Sequence, residues 1–406
     1  MRGCALFLFC LLFSCSISGQ EATERVRSAL RNIGCNEHKG CSIELLPSAR
    51  EKYADMFGRI EEAQRFVHLE YFIFRKDSVG RILLNILSRK AQEGVEVRLL
   101  IDAYGNHKAP CPMTRADLDS IQAMGIDVRL FDPIHFPYIQ NMYHRDHRKI
   151  VVVDGMWAWT GGMNVADYYV KGTRRTGPWR DMQVRVSGPV VDELESIFEH
   201  IWQKSSKTRL DTTRYRSQHA DSSGVSIAVV NREPGRRSRV MRRAFAAVIS
   251  AARDSIRIVN PYPTMTRRVE RSLRKALRRK VGVEMMISSR MDTKITPDIV
   301  AIRMRKLQRR GAKVWLYDGG FHHTKTMTVD GKLCMVGTAN LDGRSLRYDY
   351  EVSLVAYDSL TTQYLDSIFD DDLKDSELMT RKVFRRRYSP WHRFIGRLMQ
   401  PVRNVF

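Results

Sequence analysis

One pattern occurs twice in this chain and constrains its fold more than any other feature. The first copy is His147-Arg148-Lys149, an apolar run to Asp154, then Gly161-Gly162-Met163-Asn164. The second is His323-Thr324-Lys325, a run to Asp330, then Gly337-Thr338-Ala339-Asn340. The offsets from His to Lys, from Lys to Asp and from His to Asn are the same in both copies. An acidic residue follows each asparagine, Asp181 in WRDMQV and Glu351 in YDYEVSL. A single His-x-Lys motif is a weak signal. Two copies with matching downstream Gly and Asn mark an internal repeat.

The residue types suit phosphate chemistry. In an extended segment, side chains two apart share a face. Each copy therefore presents an imidazole and an ammonium together while its Val, Ile and Met residues enter a core. Lys and Asn supply donors for phosphate oxygens. Two such faces brought together surround one anion with two His, two Lys and two Asn. That constellation fits phosphoryl transfer without a metal: one His forms a covalent intermediate and the other protonates the leaving oxygen. No metal set or cofactor is expected. Cys35 and Cys41 have no second pair to complete a zinc site, and His68, His135 and His200 belong to no cluster.

The 406 residues allow two domains or one large domain of two halves, and 43% hydrophobic content supplies a core. This excludes a disordered, collagen-like or coiled-coil chain. Only the amino terminus has an apolar run resembling a membrane segment, which excludes a polytopic protein. Lys plus Arg number 68 against 45 Asp plus Glu, a formal charge of +23, so anionic partners are expected: anionic lipid, phosphate-bearing substrates or nucleic acid. Residues 1–19 carry Arg2, an apolar run Ala5–Phe13 and small residues to Gly19, which is the pattern of a secretory signal. A lipoprotein signal acting at Cys15 and an uncleaved anchor are the alternatives. All three place the protein at or across a membrane. Cys35 and Cys41 can form a disulfide if that segment is exported. Cys334 reads as a core residue.

From about residue 45 the pattern alternates strand and helix, which argues for a layered α/β fold. Expected strands are 66–74, 95–102, 128–131 and 150–154, with helices at 79–93, 113–124 and 189–203. Residues 204–224 are polar and read as a linker. The cycle then restarts: helix 240–253, strand 255–260, a very basic helix 267–279, strands 283–288, 313–317, 326–330 and 334–336, and a helix at 364–372. The halves are thus 45–203 and 225–375. A basic tail, 381–406, follows. In it Trp391, Phe394, Ile395, Leu398 and Met399 form one apolar stripe beside Arg385, Arg386, Arg387, Arg393 and Arg397. That is the pattern of an interfacial helix on anionic lipid; the alternative is a helix docked on the protein's own core.

The repeated motif resembles the HKD motif and Gly-x-x-Asn element of the phospholipase D superfamily, over about residues 45–372. Stretches such as FVHLEYFIF, GVEVRLLIDAYGN, HRKIVVVDG, TGGMNVADYY, FHHTKTMTVDG and GTANLDGRSLRYDYEVSL are most similar to bacterial cardiolipin synthases. The resemblance implies two fused α/β halves about a pseudo-twofold axis, with one site at their interface. It implies a phosphatidyltransferase that joins two phosphatidylglycerol molecules into cardiolipin and glycerol. It also implies a bacterial membrane location, peripheral or anchored, with a secreted or lipoprotein form as the alternative. His147 is expected as nucleophile and His323 as general acid. Lys149, Lys325, Asn164 and Asn340 are expected to hold the phosphate, and Asp181 and Glu351 to orient the imidazoles. Asp154 and Asp330 belong to the catalytic motif, although each ends an apolar strand before Gly and suits a turn or ion pair. Glu70 either faces the site or is balanced by a buried cation. His144 and His322 are expected in loops or behind the motif histidines.

Three departures from the family stand out. Many members begin with two transmembrane helices, where this chain has only the signal-like segment. The stretch Pro261-Tyr262-Pro263 replaces the usual Pro-Tyr-Phe, and Asp349 stands where Asn is common. The competing functions are a secreted phospholipase D using water as acceptor, a metal-independent phosphodiesterase or nuclease, and a non-catalytic lipid-binding protein. Nucleic acid is the less favoured partner.

Overall fold

A computed structural model describes residues 21–107, 112–133, 143–206, 210–219, 224–235 and 238–401. The signal-like segment, Cys111, His135, parts of the polar linker and residues 402–406 lie outside the described residues.

The first half contains α1 (21–31), β1 (Glu37–Leu46), α2 (Ala49–Glu61), β2 (Phe66–Tyr71), α3 (Ser78–Gln92), β3 (Glu96–Asp102), α4 (Arg115–Ala123) and β4 (Asp127–Phe131). It continues with β5 (Lys149–Val153), β6 (Trp157–Gly161), α5 (Tyr168–Lys171), β7 (Trp179–Arg180), β8 (Gln183–Ser187) and α6 (Val190–Ser206). The second half contains β9 (Val225–Arg232), α7 (Val240–Ala251), β10 (Ser255–Val259), α8 (Arg267–Arg278), β11 (Gly282–Ser288), α9 (Thr296–Gln308), β12 (Lys313–Tyr317) and β13 (Phe321–His322). Then come β14 (Thr326–Val329), β15 (Leu333–Gly337), β16 (Glu351–Tyr357), α10 (Ser359–Asp372), β17 (Ser376–Leu378), α11 (Arg381–Arg387) and α12 (Pro390–Leu398).

Fifteen strands form one continuous ladder whose two wings match. Outward from β1 the order is β8, β6, β5, β2, β3, β4; outward from β9 it is β16, β15, β14, β10, β11, β12, with β17 added at that edge. In each wing the last three of the matched strands are parallel and the rest antiparallel. The wings join where β1 pairs antiparallel with its own counterpart β9, which is the geometry of a pseudo-twofold axis. β1 changes partner along its length. Glu37, His38 and Cys41 face β9, and Ser42–Leu46 face β8, with the register broken between His38 and Cys41.

Three apolar layers hold the wings. α2 and α3 cover one face of the first wing, and α7, α8 and α9 one face of the second. Between the wings, Phe66, Val152, Val184 and Leu194 meet Ile227, Val229, Val336, Val352 and Leu365 in a shared cluster that includes residues of α6 and α10. Strands buried on both faces read as continuous apolar runs, as in Lys149–Val153 and Leu333–Gly337.

Several expectations are revised. Cys35 and Cys41 are buried free thiols, so no disulfide joins them. The strand that unites the wings starts at Glu37, ahead of residue 45, in a polar stretch with no alternation to reveal it. Linker residue Tyr215 is buried, and its hydroxyl takes a bond from Arg98 and donates to Glu96, both at 2.7 Å. Glu70 pairs with the Arg148 guanidinium at 2.7 Å, the balanced-cation alternative. The closing helix begins at Ser359, where Asp358 caps it through the Thr361 N–H, and not at residue 364.

Candidate functional site

The motif histidines stand at the entrances to equivalent strands. His147 precedes β5, which opens on Lys149, and His323 precedes β14, with Lys325 just ahead of it. Each histidine is held by the other half. The His147 N–H donates to the Tyr350 carbonyl at 3.1 Å, and the His323 N–H to the Arg180 carbonyl at 2.7 Å. Both contacts continue short parallel pairings between the halves, Asp146 with Tyr350 and β13 with β7. The next residue in each partner strand is the carboxylate. Glu351 Oε1 lies 2.9 Å from His147 Nδ1, and Asp181 Oδ2 lies 2.6 Å from His323 Nδ1. The orienting carboxylates therefore cross over between repeats.

The two carboxylates are accommodated differently. Thr338 Oγ1 donates to Glu351 Oε2. The equivalent position in the first half is Gly162, where an added Cβ would come within 2.1 Å of Asp181 Oδ1. The shorter acid thus sits against a glycine and the longer one against a hydroxyl.

The site is nearly sealed from solvent and holds the two motif lysines against two carboxylates, Asp181 and Glu351. Lys149 and Glu351 are fully buried, and the side chains of His147 and His323 are 14% and 9% exposed. Burial disfavours charged forms. It lowers the Lys149 ammonium to about 7 against the pull of Glu351, and Lys325 to about 8 against Asp181. Burial raises Glu351 to about 7 in spite of Lys149. His147 is held well below the ordinary imidazole range by burial, then by Lys149 and Lys325. His323 falls to about 4 through burial and Lys325, whose Nζ is 3.0 Å from both of its ring nitrogens. Lys325 is among the charges that lower His147, which links the second motif to the first.

The remaining sequence candidates separate clearly. Asn164 is committed: Oδ1 accepts from the Ile73 N–H at 3.0 Å and Nδ2 donates to Tyr169 at 2.9 Å. Asn340 Oδ1 is buried without a hydrogen-bond partner. Asp154 and Asp330 are not brought to the histidines. The strand length alone carries each about 16 Å past its lysine. Asp154 accepts the N–H groups of Gln64, Arg65 and Phe66, and Asp330 those of Arg253, Asp254 and Ser255. Both adopt positive φ, 55° and 53°. His322 pairs with Asp372 at 3.0 Å, and His144 contacts the Tyr348 carbonyl at 3.1 Å.

Sequence reasoning missed the aromatic walls and one buried cation. Phe72 lies edge-on to His147 with ring centroids 4.9 Å apart. Trp179, Tyr262 and Phe321 surround His323. The fully buried Lys52 bonds the Asn164 carbonyl, and burial lowers it to about 7 against the pull of Asp181. Phe72 and Tyr262 both lie in the segments that follow β2 and β10, but the repeat aligns Phe72 with Pro261, so the two rings are not equivalent and an alignment of the halves does not pair them.

Comparison with known proteins agrees with this geometry. The family model described as "Cardiolipin synthase, PLD-like domain" matches residues 56–202 and 245–373. The probable cardiolipin synthase YwiE of Bacillus subtilis (strain 168) is 31% identical over 367 residues, covering 90% of this chain and 72% of that protein. A cardiolipin synthase of Clostridium perfringens (strain 13 / Type A) is 30% identical over 369 residues, covering 89% and 76%. The crystal structure of phosphatidylserine synthase from Haemophilus influenzae Rd KW20 superposes with a TM-score of 0.70 at 15% identity, covering 93% of this chain and 97% of that one, which establishes the shared fold. Because the match runs through both repeats, the chain belongs to the PLD-like cardiolipin synthase family and is a phosphatidyltransferase of the phospholipase D superfamily.

Proposed function

We propose that the protein makes cardiolipin from two phosphatidylglycerol molecules through a covalent phosphohistidine. The crossed imidazole–carboxylate pairs carry this reading. A carboxylate at Nδ1 fixes each ring's tautomer and leaves Nε2 as the reactive nitrogen. His147 Nε2 attacks the phosphorus of one phosphatidylglycerol. The bond from phosphorus to the headgroup glycerol breaks, and His323 supplies the proton with which glycerol leaves. A hydroxyl of the second phosphatidylglycerol then gives its proton to His323 and attacks the same phosphorus. The P–N bond breaks, cardiolipin departs, and both histidines return to their starting states.

The charges around the histidines support these roles. Burial first, and the neighbouring lysines second, depress both histidines; a phosphodiester anion beside Lys149 and Lys325 offsets the second of these and so raises His323 toward the range in which it carries a proton. The two ammonium groups face the nonbridging oxygens. Asn340 is assigned to substrate through its Nδ2 amide, a donor that suits a phosphate oxygen, whereas Asn164 Nδ2 reaches substrate only by releasing Tyr169. Asp181 and Glu351 position the histidines.

We place the protein at a bacterial membrane surface. No helix among the described residues is long and apolar enough to span a bilayer. Support comes from α12. It packs on α9 through Gly396, where a Cβ would meet the Asp298 carbonyl at 2.3 Å. That contact leaves Trp391, Phe394 and Leu398 exposed beside Arg393 and Arg397. Trp391, Phe394 and Leu398 of the stripe thus face outward, as an interfacial helix requires, while Ile395 and Met399 are half-buried.

The test is purified protein with phosphatidylglycerol vesicles, read by mass spectrometry. Cardiolipin and glycerol in equal amounts are expected from the intact protein. With His323→Ala, phosphatidyl label should accumulate on the peptide containing His147. Phosphatidic acid as sole product would replace the lipid acceptor with water, and label on His323 in His147→Ala would reverse the roles.

A further inference from the structure

The second half carries a cleft that the chemistry above does not use. Its volume is about 270 Å³, and seven of its eight lining residues are arginine. Arg242 and Arg243 come from the first turn of α7, Arg268 and Arg271 from α8, and Arg347 from the loop before β16. Among the described residues, no carboxylate pairs with the guanidinium groups lining it. Like charges gathered without a counter-charge repel one another. Arg242 shows this: burial and then its neighbours Arg347 and Arg239 lower its affinity for a proton.

The eighth residue is Thr266. It is 2% exposed, and its Oγ1 has no hydrogen-bond partner. It stands at the N-cap of α8 yet makes no capping bond, so its hydroxyl is left for something in the cleft. The Arg347 Nε is likewise buried and unpartnered. The amino-terminal ends of α7 and α8 add their positive dipole ends.

Two segments connect the cleft to the site. The segment between β10 and α8 carries Tyr262, whose ring is 6.2 Å from that of His323, and ends at Thr266. Between them, Met265 takes φ 52° and its N–H bonds the Leu341 carbonyl, next to Asn340. On the other side Arg232 donates to the carbonyls of both Arg347 and Asp349.

We propose that this cleft is a second phosphate site, which takes the phosphodiester headgroup of an anionic phospholipid and keeps it beside the reacting one. The choice of a lipid headgroup rests on the phosphatidyltransfer reading. The compact volume suits one headgroup better than a polynucleotide track.

The experiment uses the full chain with His147→Ala, so that no turnover intervenes. The soluble probe is glycerophosphoglycerol, measured by calorimetry. The membrane probe is phosphatidylcholine vesicles with and without phosphatidylglycerol. Thr266→Val removes a donor without changing charge and should weaken glycerophosphoglycerol about fivefold. Arg268→Gln with Arg271→Gln should weaken it more than tenfold, and should weaken binding to the phosphatidylglycerol vesicles as well. Lys275→Gln with Arg278→Gln, the same charge change at the far end of α8, should stay within twofold. Circular dichroism checks that each variant is folded. Equal losses in the control pair would reduce the effect to net charge and overturn the proposal. So would inorganic phosphate binding through Thr266 while vesicle binding stays at the parent level, or a loss confined to duplex DNA. Cardiolipin production by the intact protein is scored separately, so a failed cleft and a failed reaction give different results.

Discussion

His147 and Glu351 lie 204 positions apart, yet Nδ1 of the imidazole is 2.9 Å from Oε1 of the carboxylate. The pair should be catalytic in effect without being structural. Glu351→Gln keeps the volume but loses the charge and offers an amide that can favour the wrong tautomer. Turnover should fall on the order of 10²-fold or more, with the thermal midpoint little changed. Parent-level cardiolipin formation by this variant would refute the orienting role.

Asp154 and Asp330 should behave in the opposite way. Each carboxylate satisfies three backbone N–H groups at the start of β2 or β10. Alanine at either position strands those donors, at roughly 1–3 kcal/mol or more of stability. Urea melts should shift strongly while turnover per folded molecule stays near the parent value. A large loss of turnover at full stability would return these residues to the chemistry.

Gly162→Ala tests the close approach of Asp181. The methyl would collide with Asp181 Oδ1, displacing the carboxylate from His323. Substituting the equivalent Thr338 by Ser keeps the hydroxyl that serves Glu351. The alanine variant should lose activity at least tenfold, and the serine variant should not. Comparable rates for the two would show that Asp181 is not held by this contact.

The depressed His323 makes stability depend on pH. Its folded value of about 4 lies below the ordinary 6.5. Between these values the unfolded chain binds the proton first, so stability falls as pH drops through that window. Glu351, raised to about 7, works in the opposite direction between 4.5 and 7. The contribution of His323 is therefore isolated by difference. His323→Gln should be less acid-sensitive than the parent in urea unfolding from pH 6.5 to 4. Parallel curves would mean that His323 titrates normally.

The outward face of α12 should hold the protein to lipid. Each large apolar side chain contributes about 1.5–3 kcal/mol when fully buried. Trp391→Ser, Phe394→Ser and Leu398→Ser together should weaken vesicle binding well over tenfold while the fold stays intact. Unchanged sedimentation with vesicles would remove the helix from the membrane reading.

The repeat was legible because His-x-Lys spacing survives in one dimension. The apolar runs Ile150–Val153 and Thr326–Val329 announced the two central strands beside it. What the sequence concealed was partnership. Asp181 follows Asn164 in its own repeat, but its hydrogen bond goes to His323, and periodicity carries no information about such a crossing. The joining strand β1 escaped notice because its polar residues reflect a change of partner midway and not one buried face. The different engagements of Asn164 and Asn340 were equally hidden, since identical residues at identical offsets met different neighbours.

The exchange of carboxylates across the repeats also bears on how the protein comes into being. A nascent chain that has made only the first motif holds an imidazole with no anchor, and an acid waiting for a histidine not yet synthesised. The second ring, His323, can be secured by Asp181 as soon as it is made, but His147 is secured only when Glu351 docks. A cell making this protein would thus be spared a half-built phosphatidyltransferase loose among its own lipids.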